Sequence, residues 1–139
     1  MNLEKIIYKL IKSNAFYNNI QKWYPLEHLR NINKKEFNQL TPSKINNGLC
    51  DVFAEVFSKL LNKMNIKNTI ESVYYFSPDS HVFTHIKDKF YDCEHPNGVE
   101  HFNQLNWFRR KINENEYEDF LKKKWNFNER NKTWYVIGY

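Results

Sequence analysis

Residues 46–64 read NNGLCDVFAEVFSKLLNKM, and they decide the fold. Apolar side chains recur at Leu49, Val52, Phe53, Val56, Phe57, Leu60, Leu61 and Met64. That i, i+3, i+4, i+7 spacing predicts an amphipathic helix over about 48–64 with one buried stripe, and Asn47 is its expected N-cap. Cys50 then lies in the first turn. Unpaired N–H groups and the helix dipole favour an anion there, so a thiol so placed has its pKa lowered, and the thiolate is the nucleophile. Ala54, one turn on, leaves room for a strand to approach the sulfur. The neighbouring Asp51 opposes a thiolate, and an adjacent imidazolium would have to outweigh it.

Working outward, Thr69–Phe76 is rich in β-branched and aromatic residues and predicts a strand. Ser77-Pro78-Asp79-Ser80 is turn chemistry. His81–Lys87 and Lys89–Cys93 flank a Lys87-Asp88 centre and predict a hairpin ended by Pro96-Asn97-Gly98. A two-residue turn sets Ile86 against Lys89, Thr84 against Tyr91 and Phe83 against Asp92. His81, Phe83, His85, Phe90 and Asp92 then share one face, with His81 and Asp92 diagonal neighbours. On that register Asp92 holds the His81 imidazole in one tautomer. A slip of one residue would move Asp92 off the face.

Cys50 followed by SHVFTHIKDKFYDCE at residues 80–94 resembles the core of the papain-like and transglutaminase-like cysteine enzymes. The resemblance covers residues 46–100. It implies Cys50 as nucleophile, His81 as general base and Asp92 as orienting acid. It also implies a central helix packed on a small antiparallel sheet. The aromatic expected two residues after the histidine is Phe83, which would pack under the imidazole. The glutamine expected upstream of the nucleophile is missing, and the Cys50 backbone N–H, aided by Asn46 or Asn47, would serve the oxyanion. The family includes peptidases, deamidases, transglutaminases and acetyltransferases, and peptide or amide bond hydrolysis is the broadest expectation, with a protein or peptide as substrate and no cofactor.

The flanks complete an α+β pattern within one domain, 1–139. Residues 1–45 form a helical N-terminal region: Leu3, Ile6, Ile7, Leu10 and Ile11 make a helical stripe, and Trp23, Tyr24, Leu26 and Leu29 are packing anchors between Pro25 and Pro42. Residues 46–100 hold the core. Residues 101–139 supply a helix over 114–124 and a last strand over 133–139. Trp107, Phe108, Trp125 and Trp134 are assigned to the core, as is Cys93, which faces away from Asp92. His28, His95 and His101 are assigned to the surface.

With 41% hydrophobic residues in 139, the chain is neither disordered nor in need of staples. Two cysteines make no disulfide framework. Lysines interrupt the only apolar N-terminal stretch, so no signal peptide or membrane span is expected and a cytoplasmic location follows. The net charge of +5 is spread along the chain, its densest groups at Arg109–Lys111 and Lys122–Lys124. Nucleic-acid binding therefore rests on charge alone and ranks third. Zinc ligation by His81, His85, Cys93 and His95 is disfavoured, because i and i+4 on a strand lie about 13 Å apart. The alternative to an enzyme is a catalytically inactive binding or inhibitor protein on the same scaffold, encoded by a phage or mobile element in an AT-rich genome.

Overall fold

The computed structural model describes residues 2–27, 32–75 and 80–138, without the side chains of 23–27. The side chains of the anchors Trp23, Tyr24 and Leu26 are thus not described, and Leu29, His28 and the turn positions 77–79 lie outside the described residues.

The fold is α+β. Helices α1 (Leu3–Ile11), α2 (Asn14–Glu27), α3 (Lys34–Asn38), α4 (Pro42–Asn46) and α5 (Cys50–Lys63) come first. Strands β1 (Thr69–Tyr74), β2 (Val82–Ile86), β3 (Lys89–Asp92) and β4 (His95–Val99) follow. A 3-10 turn at Phe102–Gln104 leads to α6 (Asn106–Lys111), α7 (Glu114–Leu121), β5 (Lys124–Asn128) and β6 (Thr133–Gly138). The six strands form one sheet in the order β4-β3-β2-β1-β6-β5.

This sheet is larger than expected and mixed rather than antiparallel, because β6 returns to pair in parallel with β1. The helix expected over 114–124 is shorter than its pattern suggests, and residues 124–128 lie beyond it. They form β5 because α7 stops at Leu121 and KWNFN alternates into a hairpin with β6. Residues 95–99 are a strand rather than a terminating turn. Pro96 is tolerated there because β4 is an edge strand. Gly98 sits at φ +78, and a Cβ there would meet the Tyr91 ring at 2.7 Å.

The central helix begins later than its sequence pattern suggests. Thr41 caps α4, with Pro42 in its first turn, and α4 ends at Asn46 with Asn47 as its C-cap. Gly48 at φ +130 then redirects the chain, a backbone conformation that favours glycine. Leu49 becomes the N-cap of α5 and supplies no capping side chain. The Asp51 carboxylate partly compensates by accepting the Val52 N–H at 2.9 Å.

Strand alternation divides the core between the two faces of the sheet. Ile86, Tyr91 and Cys93 join Ile7, Phe16, Phe37, Val52, Phe53 and Phe57 from the N-terminal helices. Phe83, Phe90 and Val73 join Phe102, Leu105, Trp107, Phe108 and Phe120 from the C-terminal segment. The α5 stripe of Val52, Phe53, Val56, Phe57 and Leu61 is at most 5% exposed. Each such side chain contributes roughly 1.5–3 kcal/mol on burial, which is what holds α5 and its first residue, Cys50, against β1 and β2.

Candidate active site

The hairpin register is Thr84 opposite Tyr91, His85 opposite Phe90 and Ile86 opposite Lys89. With this register His81, just before β2, and Asp92, at the end of β3, come together. The His81 Nε2 meets Asp92 Oδ2 at 2.8 Å, and both residues are buried, at 0% and 4% exposure. The other carboxylate oxygen, Oδ1, accepts the backbone N–H groups of Glu94 at 2.9 Å and His95 at 3.0 Å. The tight β3–β4 turn thus aims the carboxylate before it meets the histidine.

With Nε2 given to Asp92, Nδ1 is the ring's remaining polar atom. It is buried and makes no ordinary hydrogen bond, although Cys50 lies close enough to favour the protonated ring. The thiol thus approaches the imidazole without the geometry of an ordinary hydrogen bond. Burial alone would push the His81 pKa down. Asp92 first, and then Cys50, more than offset it and raise the pKa to about 9.

The imidazole is boxed by rings. Trp107 stacks on it with centroids 5.2 Å apart and planes 9° from parallel. Phe108 meets it edge-on at 5.9 Å and Phe83 tilts against it at 6.0 Å. The rings fix the imidazole's plane and keep water from it. Trp107 and Phe108 are core residues, as their sequence implies, at 4% and 0% exposure. That Trp107 also covers the histidine could not be read from sequence, because α6 shows no periodic signal and its path depends on the sheet.

A polar network braces the site. Glu94 accepts a bidentate pair from Arg110 at 2.8 and 2.6 Å, and the Asn46 Nδ2 at 2.9 Å. Burial would raise the Glu94 pKa, but Arg110 and Asn46 hold it below the ordinary glutamate range. The Cys93 thiol donates toward Pro42 O and Asn46 Oδ1, both at 3.2 Å. Burial pushes that thiol's pKa up strongly, so Cys93 is a neutral core donor. Asn46, a candidate oxyanion donor, is 1% exposed and spends both ends of its amide on this network. Asn47, the other candidate, is exposed at the end of α4.

His95 and His101, expected at the surface, are both half-buried and bonded. His95 Nε2 accepts the Asn106 N–H at 2.9 Å and thereby seats α6. His101 Nδ1 accepts the Asn103 N–H at 3.1 Å and caps the 3-10 turn. Each borrows an otherwise unpaired backbone N–H, which no residue spacing announces. His85 turns to Glu71, at 2.9 Å. Among the described residues, no group of three or more His, Cys, Asp or Glu could hold a metal ion, and no helix is long and apolar enough to cross a membrane.

The arrangement can hold a positive imidazole beside a sulfur at a helix N-terminus, with a carboxylate fixed behind it. No family model, curated protein or solved structure matches the chain.

Proposed function

We propose that the protein is a cysteine-dependent hydrolase or acyltransferase acting on a peptide or amide bond. The observation that carries this reading is the buried His81–Asp92 pair at 2.8 Å, with the remaining ring nitrogen left for Cys50 at the start of α5. In this scheme the Cys50 sulfur attacks the amide carbonyl and forms a tetrahedral intermediate. The Cys50 N–H, at a helix end without a capping side chain, receives the oxyanion together with Asn47. The imidazolium of His81 gives its proton to the leaving amine as the C–N bond breaks, and a thioester remains. Water or an acceptor amine then loses a proton to His81 and attacks the thioester, releasing the thiolate. Asp92 keeps Nε2 protonated throughout.

The test is the rate of Cys50 alkylation by iodoacetamide against pH, compared with His81→Ala. Rapid labelling near neutral pH that slows in the variant supports the pairing. Labelling of an ordinary or inert thiol in both proteins overturns it.

A second reading is a non-catalytic binding protein on the same scaffold. It is favoured by the closure of the site, with Cys50 at 9% and His81 at 0% exposure. Under that reading Cys50→Ala leaves partner binding intact, and no thioester is trapped by any amide substrate.

A further inference from the structure

On the same sheet, away from Cys50, a second carboxylate–histidine pair opens onto a cleft of about 1090 Å³. Glu71 of β1 is 3% exposed, yet it is not a stranded charge. Its Oε2 accepts from His85 Nδ1 at 2.9 Å and Thr69 Oγ1 at 2.7 Å, and its Oε1 from Trp134 Nε1 at 2.8 Å. Burial would raise its pKa, but these donors hold it below the ordinary glutamate range. A buried carboxylate so satisfied is a fixed anchor.

It anchors two cleft-lining groups. His85 is clamped through Nδ1 and stacked on Phe90, with centroids 4.1 Å apart. With Nδ1–H given to Glu71, Nε2 is the ring's remaining polar atom; the side chain keeps 24% exposure, and this nitrogen can share a proton with a phosphate that enters the cleft. The Trp134 indole is oriented by Glu71 and leans on Phe127 at 4.9 Å, forming an aromatic wall.

Around the mouth stand Lys67, from the loop after α5, and Lys87 and Lys89, from the β2–β3 hairpin. None of the three forms an ion pair among the described residues, whereas Lys132 is neutralised by Glu129 at 2.8 Å. Asp88 on the hairpin tip and the buried Glu71 carboxylate oppose the three lysines, and the lining as a whole remains positive by one charge, which favours an anion over a cation. A phosphate carries about −1.5 to −2 near neutral pH and gains more from grouped lysines than a singly charged carboxylate does. The cleft volume of about 1090 Å³ lies at the upper limit of small-molecule sites, about 300–1,000 Å³.

We propose that this cleft binds a small phosphorylated molecule with a planar ring, of the nucleoside monophosphate kind. Its phosphate meets His85 Nε2 and Lys87, with Lys89 adding positive charge at the rim, and its ring lies on Trp134 and Phe127. Neither Cys50 nor His81 takes part, so the inference stands apart from the proposed amide chemistry.

The experiment is titration calorimetry at low salt with AMP, adenosine and inorganic phosphate as probes. AMP is expected to bind, with both fragments at least tenfold weaker. The Lys87→Ala/Lys89→Ala double variant touches only exposed side chains and should weaken AMP by roughly tenfold. His85→Gln, with folding checked by circular dichroism, should do the same. No heat with millimolar AMP, or unchanged affinity in the lysine variant, overturns the proposal. Adenosine binding as tightly as AMP overturns the phosphate assignment, and inorganic phosphate binding as tightly overturns the ring assignment.

Discussion

Replacing Asp92 with Asn removes a charge and little else. The side chain keeps its shape, and its Oδ1 still accepts the Glu94 and His95 N–H groups. What changes is the partner of a fully buried imidazole. In the unfolded chain His81 titrates near 6.5, and in the folded protein near 9. At about 1.4 kcal/mol per pH unit, that difference corresponds to roughly 3 kcal/mol of stability. Its sign follows from proton binding. Between 6.5 and 9 the folded state holds a proton that the unfolded state has released, so stability falls as pH rises. The contribution is whole below 6.5 and lost through 9. In Asp92→Asn burial acts without the counter-charge, the imidazole becomes neutral, and the contribution disappears. Urea unfolding followed by tryptophan fluorescence at pH 6, 7.5 and 9 measures this. The variant should be about 3 kcal/mol less stable than wild type at pH 6, with the gap narrowing by pH 9. Burial, the largest cause of the raised Cys93 pKa, is the same in both proteins and keeps that thiol neutral across this range. Parallel stability curves for the two proteins, or a His81 ring that titrates at or below 6.5 by nitrogen-detected NMR, would refute the reasoning.

Other consequences are open to simpler tests. Glu71 and Glu94 have lowered pKa values, so each contributes stability above about 4.5 that is lost as pH falls through its folded value. Glu94→Gln should cost about 1–3 kcal/mol at pH 7 and flatten the acid limb of the stability curve in urea titrations. Asn65 ends α5 at φ +58, with Asn65 N–H bonded to Asn62 O and Ile66 N–H to Leu61 O, a Schellman-type stop. Asn65→Val should cost about 1–2 kcal/mol, seen as a lower Tm. Phe83 is 1% exposed and touches His81, Phe90 and Phe102. Phe83→Ala should cost about 3–5 kcal/mol by urea unfolding, and labelling of Cys50 should lose its dependence on His81 as the ring box loosens.

Elements with strong local periodicity were legible in the sequence. The α5 stripe was read to within two residues, because its heptad-like spacing has no competing solution, although Gly48 moved the cap from Asn47 to Leu49. The hairpin register around Lys87-Asp88 was legible because each slipped register puts apolar side chains on the wrong face. Short or edge elements were not. Residues 95–99 contain Pro and Gly and read as a stop, and only pairing to β3 makes them a strand. Residues 124–128 are a short run directly after a helical pattern, and only pairing to β6 makes them a strand.

The sequence by itself determined that Cys50 begins a buried amphipathic helix and that His81 and Asp92 share a strand face, because both follow from backbone periods of 3.6 and 2. Only the tertiary structure decided what surrounds them. The Trp107 stack, the Glu94 clamp on Arg110 and Asn46, and the Glu71–His85–Trp134 cluster join residues 14 to 63 positions apart in the chain. Such contacts depend on how the sheet closes with β6 against β1 and on which buried donors then need acceptors. Local sequence carries no period for either.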